Sequence, residues 1–181
     1  MIVALAGRRI DAPDAEEKRF PLEMEEIVYA RIRDFFHKYN VTVLVSSAAC
    51  GADLLAQKAA RELEIRQHII LPFEREKFRE TSVIDRPGDW GKLFDEICSE
   101  VKSKGNLIIS RQDKDEKTAY ASVTDKILEL AEDLRRKNET AKAVIVWEGT
   151  AKEKDDETAA FAEKARLRKI DVEEIITIKS G

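Results

Sequence analysis

Small, polar and acidic residues crowd the stretch Ser46-Ser47-Ala48-Ala49-Cys50-Gly51-Ala52-Asp53. It follows the apolar run Val41-Thr42-Val43-Leu44-Val45 and opens a helical pattern that reaches Leu63. A strand that breaks into a small-residue turn and then a helix directs first-turn N–H groups beyond the strand end, where an anion can bind. Short side chains let a ligand approach the backbone. Ser46 and Ser47 offer hydroxyls to phosphate or ribose oxygens. Asp53 can cap free N–H groups, the plainer role, or accept from a sugar hydroxyl. A second strand-to-glycine turn, Ile2-Val3-Ala4-Leu5-Ala6-Gly7-Arg8-Arg9, starts the chain. Gly7 permits a tight turn, and Arg8 or Arg9 presents a guanidinium fork suited to phosphate or to an ordinary salt bridge.

Two further strand ends carry polar groups. Leu71-Pro72-Phe73-Glu74 closes an apolar run and leads into a charged helix anchored by Phe78; Glu74 is there as a general acid or base, or simply as a solvated charge. Trp147-Glu148-Gly149-Thr150 closes another, and Asp155-Asp156-Glu157-Thr158 follows, with Asp156 or Thr158 as helix cap. Trp147 can stack on a base or plug the end of the sheet. Asp53, Glu74 and Glu148 are the carboxylates available for catalysis. A serine nucleophile has no histidine base placed to activate it, since His37 and His68 sit in no motif. Cys50 beside Gly51 is a reactive thiol at a helix N-terminus or, the plainer role, a small residue filling a tight turn.

These groups need a scaffold, and periodicity supplies one. Short apolar runs predict strands at about 2–6, 41–46, 67–72, 105–110, 141–147 and 173–178. Apolar residues at three- and four-residue spacing predict helices between them: Met24 to Tyr39, Leu54 to Leu63, Trp90 to Val101, Tyr120 to Leu134, and about 157–168. Residues 11–19, 79–89, 111–117 and 149–156 read as loops. Alternating strands and helices predict an α/β fold, a Rossmann-like open parallel sheet with helices on both faces in three layers, as one domain over 1–181. Ligands of such sheets bind at the carboxyl ends of the strands, where the turns at Gly7, 46–53 and Trp147 fall.

The bulk composition narrows the function classes. The charged share is 38%, yet the net charge is only -4, which predicts a salt-bridged surface rather than a nucleic-acid footprint. No segment approaches the roughly 18 apolar residues of a membrane helix. No signal peptide precedes Ile2, and two cysteines are too few for a disulfide framework or a metal set, so a reducing cytoplasm is the expected location and no metal is expected.

Taken in order, these residues resemble the SLOG superfamily, which includes cytokinin-activating phosphoribohydrolases (the LOG proteins), the DNA-processing protein Smf and bacterial sensor domains. The resemblance is to the sensor-type subgroup and spans roughly 2–178. It rests on Gly7-Arg8-Arg9, Arg19-Phe20-Pro21, Ser47-Ala48-Ala49-Cys50-Gly51-Ala52-Asp53, Leu71-Pro72-Phe73 with Phe78 and Ser82, and Trp147-Glu148-Gly149. It implies a prokaryotic domain that binds a nucleotide or nucleotide-derived signal, with Gly7, Arg8, Ser47, Gly51 and Thr158 on phosphate and ribose and Trp147 or a loop residue on the base. It also implies an effector, in a partner protein or a fused domain, and self-association, for which the apolar positions of the 22–39 helix are available.

Two departures bear on this. The family often carries a phosphate-contacting Gly-Gly-Thr turn before its last helix; here Asp156-Glu157-Thr158 keeps only the threonine, and the acids repel phosphate. LOG-type enzymes carry a glutamate three residues further on; here that position is Phe161, and Glu163 is out of register. The resemblance therefore implies a binding domain more than an enzyme. The alternatives are a nucleotide N-glycosidic hydrolase or transferase of LOG or deoxyribosyltransferase type, and a DNA-binding protein of the Smf kind, against which the negative net charge argues.

Overall fold

The computed structural model describes residues 1–110, 115–136, 139–152 and 154–179. Strands β1 (Ile2–Gly7), β2 (Val43–Ser46), β3 (Arg66–Leu71), β4 (Leu107–Ile109), β5 (Ala141–Trp147) and β6 (Asp171–Ile176) pair in parallel, in the order β4-β3-β2-β1-β5-β6. Apolar residues on both faces of the central strands are what a sheet covered on both sides requires. Along β1, Val3 and Leu5 enter one core while Ile2 and Ala4 enter the other, as the two-residue period of a strand dictates.

Helices α1 (Glu25–Lys38, entered through a 3-10 turn at Leu22–Met24), α2 (Ala52–Glu62), α3 (Arg75–Ser82) and α4 (Trp90–Ser103) pack into the first core. Helices α5 (Glu116–Asp133) and α6 (Glu157–Leu167) pack into the second. The α1 stripe Val28, Ile32 and Phe36 is fully buried at four-residue spacing, the pattern of a helix with one apolar face. The result is a three-layer, Rossmann-like α/β fold.

The chain steps from β1 through β2 and β3 to β4 at one edge, crosses back through α5, and enters β5 on the other side of β1. Strand order therefore reverses between β1 and β5, and a crevice opens beyond their carboxyl ends. The register places Gly7 beside Val146 and Leu5 beside Ser46 at that end of the sheet.

Some boundaries differ from the sequence expectation. Strand β6 begins at Asp171, two residues earlier than expected. It is an edge strand, so Asp171 and Glu174 are solvent-exposed and its apolar signal is diluted. Strand β4 is shorter than expected, at three residues. Helix α3 reaches Ser82, inside the stretch 79–89 read as loop. Only Phe78 and Ser82 of this helix are buried, so its periodicity is faint. Of the loop expected at 111–117, residues 111–114 lie outside the described residues, and α5 begins at Glu116. No helix among the described residues is long and apolar enough to cross a membrane.

Candidate ligand site

The two turns, whose glycines Gly7 and Gly51 are 44 positions apart in sequence, lie side by side. The Arg8 N–H donates to Val146 O at 2.8 Å, and the Arg8 carbonyl accepts from Ala52 N at 3.1 Å. Arg9 and Gly51 form an isolated antiparallel bridge. Gly7 is a close-approach glycine: a Cβ there would stand 2.4 Å from the Ala52 Cβ and 2.7 Å from Val146 O. Gly51 has φ of +102°, and its Cβ would meet Arg8 O and Ile10 N at 2.8 Å. Both glycines let the start of α2 press against the end of β1. That contact has a cost for anion binding. Ala52 N is taken by Arg8, and Leu54 N donates to Ala49 O at 3.2 Å, so the expected row of open helix N–H groups is largely closed.

Beyond this junction lies a cavity of about 520 Å³. Ser47, Ala49 and Asp53 line it from the start of α2, and Arg9 and Arg86 from the connections after β1 and α3. Phe78, Tyr120, Val123 and Ile127 form an apolar wall, and Thr158 contributes from α6. The segment from Asp11 to Arg19 borders it. This segment is pinned by the Asp11 carboxylate, which accepts from Arg19 N at 3.0 Å and Phe20 N at 3.1 Å. A hydrogen bond from the Thr177 hydroxyl to Arg19 O holds its far end.

Of the residues singled out from sequence, Gly7, Arg8, Arg9, Ser47, Asp53 and Thr158 line this cavity. Gly51 supports it through the backbone bridge. Arg8 borders the cavity with its donors already committed: Nε donates to Glu148 at 2.7 Å, Nη1 to Asp156 at 2.6 Å, and Nη2 to Asp156 at 2.9 Å and Thr150 O at 3.1 Å. Glu148 is the partner of Arg8 and Arg19 rather than a cavity group.

Three residues lie elsewhere. Ser46 points into a buried polar network, donating to Ser47 O at 2.6 Å and accepting from Gln57 Nε2 at 2.9 Å. Trp147 donates through Nε1 to Glu174 at 3.0 Å, and its ring lies 5.8 Å from the Arg8 guanidinium carbon; it is not part of the wall. Glu74 precedes α3, also away from the wall.

Sequence reasoning missed Arg86 and Tyr120, which line the cavity, and Asp85, the ion-pair partner of Arg9 and Arg86. Tyr120 reads as one more apolar position in a helical stripe, yet its hydroxyl pairs with that of Ser82 at 2.7 Å. Arg86 lies beside Pro87 and Gly88, in a stretch with no period to place its side chain.

Burial sets the protonation of the acids. It pushes the Asp53 carboxyl up to about 7, against the opposing pull of Ala49 N and Arg9. The Cys50 thiol is likewise pushed up by burial despite nearby Arg9, which suits a small turn residue and not a nucleophile. For Asp156, burial acts upward but is outweighed by Arg8 and by the Ala159 and Lys152 N–H groups, which hold the acid well below its usual range. Glu148 is lowered too, with Arg8 and Arg19 overcoming burial.

An acid whose native pKa is depressed stabilises the fold above its unfolded value and loses that contribution as pH falls through the native one. Wild type is therefore expected to exceed Asp156→Asn by about 2 kcal/mol above pH ~5. The gap should shrink steadily below pH ~4. Urea unfolding of both proteins across pH 2–7 checks this, and a gap independent of pH would contradict it.

No protein-family model and no curated protein matches this chain.

Proposed function

We propose that this chain binds a nucleotide or nucleotide-derived signalling ligand beyond the carboxyl end of β1, in the manner of a sensor-type SLOG domain. The reading is carried by one observation, the makeup of the cavity at the switch point. A wall containing Phe78, Tyr120, Val123 and Ile127 suits a base. Arg9, Arg86, Ser47 and Thr158 offer donors to phosphate and sugar oxygens. Pockets with an apolar lining and a few convergent polar groups are what small ligands occupy, and about 520 Å³ accommodates a nucleotide. In a prokaryotic cell such a domain would report to an effector, in a partner protein or a fused domain.

The test is a thermal-shift panel of nucleoside mono- and diphosphates, cyclic nucleotides and dinucleotides. A ligand present at about 100 times its Kd adds about 2.7 kcal/mol, a rise in melting temperature of about 5 °C or more for a chain of this size. If no member raises it at millimolar concentration, the reading falls.

Asp53 favours a second reading, an N-glycosidic hydrolase. Its carboxyl lines the cavity and sits near neutral pKa, where proton transfer to a leaving base is efficient. Phe161, at the position of the LOG-type glutamate, is fully buried in the second core and supplies no acid. Release of free base from nucleoside monophosphates, abolished in Asp53→Asn, would establish this reading; no release across the panel would remove it.

A further inference from the structure

Resting on the nucleotide reading of the cavity, we infer that the ligand's phosphate is held by Arg9 and Arg86, on the α3–α4 side of the cavity, where Asp85 is the built-in occupant it displaces. Arg8 and Arg9 are adjacent in sequence and send their guanidinium groups opposite ways. Arg8 turns toward β5 and α6, and Arg9 toward the α3–α4 connection. In the sheet, β3 lies beyond β2 on one side of β1 and β5 lies on the other, so the cavity has two distinct polar ends.

The α6 end is closed to anions. Asp156 occupies the start of the helix, accepting from Ala159 N at 3.0 Å and Lys152 N at 2.7 Å. Glu148 and Asp156 fill the donors of Arg8. Asp155 and Glu157 add two more carboxylates to the cavity edge. Lys152 and Arg19 also stand at this edge, but Glu148, Asp155, Asp156 and Glu157 oppose a phosphate placed there by like charge.

The other end has the opposite balance. Two guanidinium groups share one carboxylate: Asp85 accepts from Arg9 Nη2 and stands 3.5 Å from Arg86 Nε. The Nε atoms of both arginines are buried and make no hydrogen bond. The three side chains are about 30% exposed, at 30%, 32% and 28% for Arg9, Asp85 and Arg86, so an entering anion can reach them. A phosphate presents more acceptor oxygens and more charge than Asp85, and arginine forks bind it bidentately. Asp85 swings aside and the two donors left without partners gain them. The Phe78 and Tyr120 wall then receives the base.

The test titrates pyrophosphate, adenosine 5′-monophosphate and adenosine into the full chain by calorimetry at low ionic strength, where charge is least screened. Arg86→Met should weaken pyrophosphate and the monophosphate about tenfold and leave adenosine unchanged. Asp85→Asn should tighten both anions about threefold or more, by removing the competing carboxylate. That gain cannot come from a damaged fold, and circular dichroism controls for folding in Arg86→Met. Glu157→Gln should leave all three unchanged. Tightening in Glu157→Gln with none in Asp85→Asn would place the phosphate at α6 and overturn the inference, while leaving the nucleotide reading intact. Failure of pyrophosphate to bind both wild type and Asp85→Asn would also overturn it, and the nucleotide panel then decides the broader reading by itself. Pyrophosphate binding with these variant effects, but no nucleotide bound, would sustain the anion site and remove the nucleotide.

Discussion

Arg8→Met is expected to lower the unfolding free energy by about 3–5 kcal/mol at neutral pH, measured by urea denaturation. Arg8 is 5% exposed, and its carboxylate partners Glu148 and Asp156 are 5% and 6% exposed. Methionine fills much of the space but leaves two buried acids without their shared guanidinium, with Arg19 still paired to Glu148. Their repulsion and lost hydrogen bonds, more than the net worth of the original pairs, set the size of the effect. The loss should diminish in acid as Glu148 and Asp156 protonate. Arg8→Lys should recover less than half, because one ammonium cannot span both carboxylates and the Thr150 carbonyl as a guanidinium fork does. A loss below about 1 kcal/mol in Arg8→Met would mean that the cluster behaves as an exposed ion pair.

Arg8 also illustrates how far this molecule can be read from its chain. The sheet was legible because Ile2 to Leu5, Val43 to Val45 and Val144 to Val146 are apolar on consecutive positions, and all are buried. Such runs have few alternatives to a central parallel strand. The meeting of Gly7 with Gly51 was legible for the same reason: both turns follow central strands, so the topology delivers them to one end. The division of labour between Arg8 and Arg9 was not. Two adjacent arginines look alike in sequence, and only the placement of β5 and the α3–α4 connection decides which finds partners inside the fold.

Ser46 is a related case. As the last residue of β2 it faces the core side, where Gln57 claims its hydroxyl, while Ser47 one position on faces the cavity. A one-residue step reverses the face of a strand, and the turn's composition alone does not say where the strand ends. Asp85 and Arg86 were invisible for a different reason. Their position depends on long-range packing of a connection with no period of its own.

Gly51→Ala is expected to cost about 3–5 kcal/mol and to disrupt the site with it. Two separate penalties combine at this position. The backbone at φ of +102° and ψ of -128° lies in a region that residues with a Cβ seldom enter. The added methyl would stand 2.8 Å from both Arg8 O and Ile10 N, which are backbone atoms and cannot rotate away. Relief requires the segment after β1 to retreat, which breaks the Arg9–Gly51 bridge and the hydrogen bond from Ile10 N to Cys50 O at 3.4 Å. Arg9 would then leave its place in the cavity.

Gly105→Ala separates the two penalties. Gly105 also has positive φ, at +74°, but a Cβ there meets nothing within 4 Å. That substitution should cost about 1 kcal/mol and leave ligand binding untouched. If the two variants lose equal stability, conformation alone accounts for Gly51, and close approach of the two turns is not what holds the site together.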